Sequence, residues 1–155
     1  MRSPVVWLLV ALTVVAVAVG IWFFVRDEYP FNLGPDDVVA LTYESHGENG
    51  PLFGYVEDPP ADLAGWVSLM ERDTSGEAVP VESTVTIMVA DGRRLRLEVG
   101  GDRATARWVG IDGRLGTPVT VHLDDRLVWY LKGLRVGLES ASPPVQRRVE
   151  PSPVP

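Results

Sequence analysis

The chain contains no cysteine among its 155 residues. That excludes disulfides, thiolate metal sites, cysteine nucleophiles and lipid attachment through an N-terminal cysteine. Histidine is nearly as scarce, with His46 and His122 the only two, so imidazole chemistry has few places to form. The local patterns of common enzymes are also missing. The sequence has no Gly-x-Ser-x-Gly elbow, no His-Glu-x-x-His, no P-loop and no Gly-x-Gly-x-x-Gly after a strand. No cofactor is implied. Lysine occurs once, at Lys132, against 13 arginines, and no basic residue lies between Arg26 and Arg72.

One feature is abundant in one place. Val5 to Val25 is an uncharged run of 21 residues. As a helix rising 1.5 Å per residue it spans roughly 31 Å, the thickness of a hydrocarbon core of about 30 Å. Trp7 near one end and Trp22, Phe23 and Phe24 near the other suit the two interfaces, and Arg2 and Arg26 bracket the run. Ala18-Val19-Gly20 offers small residues for signal cleavage. The apolar stretch continues past them, so the expectation is an uncleaved single-pass anchor in the lipid bilayer. The absence of Lys and Arg between Arg26 and Arg72 favours a cytoplasmic N-terminus and an extracytoplasmic C-terminal domain.

The expected organisation is a short tail over 1–4, the anchor over 5–25 and a juxtamembrane linker over 26–37. A domain over 38–138 follows, then a Pro-rich disordered tail over 139–155 with five prolines from Ser140 onward. About 100 residues allow one modest core. Charge is uneven along the chain. Asp27 to Asp91 holds 14 acids and one base, net −13, while Gly92 to Arg135 holds nine bases and five acids, net +4. Either the halves neutralise one another in the fold or the second half presents a basic face.

Alternation predicts strands over Val38–Ser45 and Leu52–Val56, joined as a hairpin, with Val39, Leu41 and Tyr43 on one face. Asp58 as N-cap and Pro59 at the first position predict a helix carrying the stripe Leu63, Trp66, Val67 and Met70 and ending near Arg72. Ser83 to Val99 reads as a second hairpin around Asp91-Gly92. A two-residue loop would set apolar side chains opposite arginines. A three-residue loop, Ala90 to Gly92 with Gly92 left-handed, pairs Ile87 with Leu95 and Val85 with Leu97, so the apolar pattern selects it. Strands over Ala104–Val109 and Pro118–Leu123 follow. Asp124 then caps a helix over Asp125–Lys132, with Gly133 as its stop and Leu127, Tyr130, Leu131 and Leu134 as its buried stripe. The fold class is α+β, an N-terminal transmembrane helix followed by a small antiparallel sheet with two helices packed on one face.

Asp58-Pro59, the Leu63/Trp66/Val67/Met70 stripe, Asp91-Gly92, and Asp124 followed by Tyr130-Leu131 carry a resemblance. Over residues 38–134 the layout is similar to a loose group of small bacterial membrane-anchored or secreted α+β envelope domains. The resemblance implies the fold and a cell-envelope location; it brings no catalytic residues.

Three candidate sites stand out. Arg94 and Arg96 alternate with Leu95 and so point away from the core, and Arg107 joins them if the next strand lies alongside; Thr84, Thr86 and Met88 extend that face. Such a face suits an acidic protein or an anionic envelope polymer. Glu44, His46 and Glu48 form a possible metal cluster on a polar turn. The loop Gly110-x-x-Gly113-x-x-Gly116 with Arg114 has the spacing of an anion nest. The adjacent pairs Asp36-Asp37 and Asp124-Asp125 are accounted for by the linker and by capping. His122 falls on the sheet surface. An acidic chain of net charge −7 argues against nucleic acid. The leading reading is a non-enzymatic, membrane-anchored domain for protein interaction in the cell envelope. The alternatives are a ligand-sensing or anionic-polymer-binding module on Arg94, Arg96 and Arg107, and a hydrolase or metal site around His46.

Overall fold

In the computed structural model the described residues are 11–17, 29–47 and 50–141. The β1–β2 hairpin comprises Val38–Gly47 and Gly50–Val56. It leads to a short helix α1 (Leu63–Ser68) and a two-residue strand β3 (Glu71–Arg72). Strands β4 (Ser83–Val89), β5 (Arg94–Gly100), β6 (Arg103–Val109) and β7 (Val119–His122) follow, then helix α2 (Asp125–Ala141). The strands form one antiparallel sheet in the order β2-β1-β4-β5-β6-β7-β3. The α+β class is as expected.

The β4–β5 register follows from apolar matching. Ile87 pairs with Leu95 and Val85 with Leu97, and Val89 N–H donates to Arg93 O, closing a three-residue loop. Gly92 takes φ +89° there, the left-handed conformation that glycine adopts without a Cβ clash. The alternating residues Leu41, Tyr43, Val85, Ile87, Leu95, Leu97, Ala104, Ala106 and Val121 fill the inner face of the sheet. Leu63 and Val67 of α1 and Leu127 and Leu131 of α2 pack into the same core. Both helices therefore cover one face.

Several elements depart from the sequence pattern for identifiable reasons. α1 starts at Leu63, with Asp62 at the N-cap making no side-chain cap bond, and not at Asp58-Pro59. Pro60 disfavours helical geometry at the residue before it, so the Asp58-Pro59-Pro60 stretch is non-helical. The stripe survives: Leu63, Val67 and Met70 are buried, and Trp66 meets Tyr130 in a tilted ring contact at 5.9 Å between centroids. Glu71 and Arg72 leave the helix to pair with His122 and Val121. The register of β1 shifts between Val38 and Ala40, which turns Val39 outward, 47% exposed. α2 runs straight through Gly133, because Leu134 and Leu138 continue its contact with the core. Asp124 does cap it, accepting Arg126 N–H at 3.0 Å.

Residues 29–37, expected within a linker, lie against the domain. Phe31 is 1% exposed and contacts Trp108 edge-on at 6.1 Å. Tyr29 Oη donates to Met70 O and accepts from Arg72 N–H. Among the described residues no helix is long and apolar enough to cross a membrane. The run Val5–Val25 extends outside the described residues on both sides. Within it, 11–17 are helical, with Leu12, Val14, Val15 and Val17 exposed. The Pro-rich stretch from 142 onward lies outside the described residues.

Candidate functional site

The outer face of the sheet carries the sequence-predicted arginines. One cross-strand row reads Tyr55, Thr42, Thr86, Arg96, Arg107 from β2 to β6. A flanking row reads Phe53, Glu44, Thr84, Glu98, Thr105, Thr120. Arg94 stands opposite Met88 on one side and Val109 on the other. The face is thus a threonine-rich surface with aromatics at the β2 edge and arginines over β5 and β6.

Its electrostatics centre on Arg96 and Arg107, which are directly opposed in the ladder. Like charges in that position repel. Glu98 lies between them, 3.4 Å from Arg96 Nη2 and 3.7 Å from Arg107 Nη2. One carboxylate is shared by two guanidinium groups. Arg107 Nε is buried and has no acceptor among the described residues. Arg94 is exposed, so the patch keeps a surplus of positive charge.

The loop between β3 and β4 covers the far end of this face. Pro80 lies against Gly100 so closely that a Cβ at Gly100 would run into the Pro80 carbonyl. Under this crossing sits a group that sequence reasoning missed. Asp73, its side chain 4% exposed, accepts Ser75 N–H at 2.8 Å and Ser75 Oγ–H at 2.9 Å, and lies 3.2 Å from Arg103 Nη1. His122 Nε2 stands 3.6 Å away, and Glu77 also reaches Arg103 at 3.3 Å. The two hydrogen bonds from Ser75, with Arg103 and His122 adding to them against the opposing effect of burial, hold the Asp73 carboxyl at about 2. Ser75 Oγ donates to Asp73 and not to His122, so the three residues do not make a nucleophile–base pair. The signal was present in part: Asp73-Thr74-Ser75 is an Asx-turn pattern, and strand alternation already placed His122 outside.

The other candidates resolve differently. Glu44 Oε1 and His46 Nε2 are 3.9 Å apart and both are well exposed. Glu48 lies outside the described residues, and among those described no group of three His, Cys, Asp or Glu could hold a metal ion. The glycine loop is closed on itself. Gly110 N–H donates to Arg114 O, Gly113 N–H to Gly110 O, Gly116 N–H to Trp108 O and Arg114 N–H to Asp112 Oδ1. No convergent set of free amides is left to cradle an anion.

A concave feature lies at the opposite edge. Tyr43, Gly54, Tyr55 and Val56 of the β1–β2 hairpin and Tyr130, Gly133, Leu134, Gly137 and Leu138 of α2 line a cleft of about 390 Å³. Its wall is almost wholly apolar, and partial burial raises the Tyr130 hydroxyl above its usual pKa. Comparison with known protein families, with curated proteins and with solved structures finds no match.

Proposed function

We propose that this chain is a single-pass, membrane-anchored interaction protein without enzymatic activity. In this reading its extracytoplasmic domain binds an acidic surface of another envelope or membrane protein through the outer sheet face. The anchor is the Val5–Val25 run, which has the length and composition of a transmembrane helix. The observation that carries the binding reading is the Arg96–Arg107 pair. A sheet surface selected for stability alone gains nothing from opposed like charges, and here they share one carboxylate while Arg107 Nε has no acceptor among the described residues. An incoming carboxylate would relieve the repulsion between the two guanidinium groups.

The test is a pull-down from solubilised membranes with the full chain, over a range of salt. Wild-type association should weaken as salt rises. Arg94→Ala combined with Arg96→Ala should reduce it about tenfold, as two partly exposed charges contribute ~0.2–1 kcal/mol each. Partners that persist unchanged with the double variant sink the reading. Transfer of the same arginine dependence to an anionic polysaccharide, with no protein captured, would shift the partner from protein to polymer.

A further inference from the structure

β2 is an edge strand whose only strand neighbour among the described residues is β1. Exposed edges are usually blunted with charge, proline, bulges or a covering element, because their free backbone groups invite another strand; in β2 only Pro51, at the start of the strand, is of this kind. β2 reads Gly50-Pro51-Leu52-Phe53-Gly54-Tyr55-Val56 and carries no charge. Phe53 and Tyr55 are 67% and 63% exposed.

The backbone direction is set by the hairpin. His46 N–H donates to Glu82 O on the β4 side, so the alternate β1 residues Tyr43 and Ser45 bond toward β2, where they meet Gly54 and Leu52. The N–H and C=O groups of Phe53 and Tyr55 consequently face away from the sheet.

We infer that β2 pairs antiparallel with β2 of a second copy of this chain, about a two-fold axis at Gly54, joining the two sheets edge to edge. That register is self-complementary. It sets Phe53 opposite Tyr55 of the second copy, and Tyr55 opposite its Phe53, using the outward backbone groups on both strands. It places two aromatic cross-strand pairs on the outer face. On the inner face the same axis brings the two α2 helices together at the apolar cleft. There Gly133 and Gly137 are one turn apart, and a Cβ on either would meet nothing within 4 Å. Glycines so spaced let two helices approach closely.

The surface is that of a small, weakly associating dimer. Phe53 and Tyr55 together offer on the order of 250 Å² per copy from side chains that bury 150–250 Å² each when enclosed. A standard interface takes about 800 Å² per partner and a small biological one roughly 500 Å²; the strand backbone and the half-buried Tyr130 and Leu134 of the cleft add toward the lower figure. A two-fold axis normal to the sheet also leaves both arginine patches facing the same way. A partner with two acidic sites would then be held bivalently. The dimer does not depend on that binding, and the two can fail separately.

The experiment uses the full chain in detergent micelles, with mass measured by light scattering across a concentration series. The wild type is expected to be dimeric at the upper end. Phe53→Lys should raise the dissociation constant about tenfold or more, by removing two aromatic pairs. Phe53 is exposed, so this change leaves the core intact. Because the native chain has no cysteine, Phe53→Cys and Tyr55→Cys chains can be mixed and oxidised. The mixture should cross-link more than either variant alone. A wild type that stays monomeric, with the cleft occupied by its own tail or left open, overturns the inference. So does a dimer indifferent to Phe53→Lys, which would mean that the copies meet elsewhere, such as through the apolar N-terminal run. Cross-linking that is no greater in the mixture overturns the register.

Discussion

A carboxyl that folds into two hydrogen bonds becomes a pH-dependent source of stability. Asp73 is lowered from 3.8 to about 2, chiefly by the Ser75 amide and hydroxyl, with Arg103 and His122 assisting. Its folded pKa lies below its unfolded value, so the stabilisation is fully present above 3.8. It is lost as pH falls from there through about 2. Asp73→Asn should therefore lower the urea midpoint at neutral pH, and the gap to wild type should close across that window. A gap that stays constant down to the acid end would show that Asp73 is held by geometry without linkage. Elsewhere the aspartates act locally. Asp91, Asp112 and Asp124 each accept the amide two residues on, from Arg93, Arg114 and Arg126, and each pairs with that arginine's side chain. Burial opposes ionisation of Asp91, yet the Arg93 amide and guanidinium outweigh it and lower its pKa. Such Asp-x-Arg units can be read from sequence because both partners sit within three residues. Asp73 with Arg103 and His122 could not be read so, because the three meet only when a loop crosses a sheet.

At the scale of elements, what was legible was whatever alternation and turn chemistry decide together. The β4–β5 hairpin is the clearest case: one loop length alone puts Leu95 and Leu97 on the face of Ile87 and Val85, and the structure has that register. The outward direction of Arg94, Arg96 and Arg107 follows from the same alternation. What was not legible was where packing overrides local preference. Gly133 is a fair helix stop by propensity, yet α2 continues to Ala141 because Leu134 and Leu138 still find apolar partners. Leu138 lies over Gly54, where a Cβ would come within 2.8 Å of it. The glycine remains costly in a helix interior. Gly133→Ala fills open space, so it should raise the unfolding free energy of the monomer by about 1 kcal/mol. Chemical denaturation at low protein concentration reads that gain. A destabilised variant would mean that the Cβ meets a neighbour and that the cleft is narrower than described.

For the whole molecule, uneven charge along the chain is neutralised partly between the halves and partly within the second half. Contacts between the halves join Asp73 and Glu77 to Arg103, Asp73 to His122 and Asp91 to Arg93, whereas Arg96, Arg107, Arg114 and Arg126 pair with acids of the second half itself. The domain boundary moves for a related reason. Composition placed 26–37 in a linker because Pro30, Gly34 and Pro35 break regular structure, but irregular backbone can still deliver a side chain to the core. Phe31 reaches Trp108, and its carbonyl lies 3.1 Å from Ser68 Oγ, whose single proton it shares with Ala64 O at 2.9 Å. Tyr29 adds a ring under the Arg72 guanidinium at 5.3 Å. A large aromatic buried to this extent costs ~3–5 kcal/mol when truncated, a substantial part of the 5–15 kcal/mol that holds a typical domain. Phe31→Ala in the full chain should lower the denaturation midpoint accordingly, while Leu33→Ala, at a half-buried position beside it, should cost less. If Phe31→Ala leaves the midpoint unchanged, residues 29–37 are a tether after all and the folded unit begins at Val38. If it lowers the midpoint as expected, the segment from Tyr29 onward is itself part of the core, and the folded unit begins before β1.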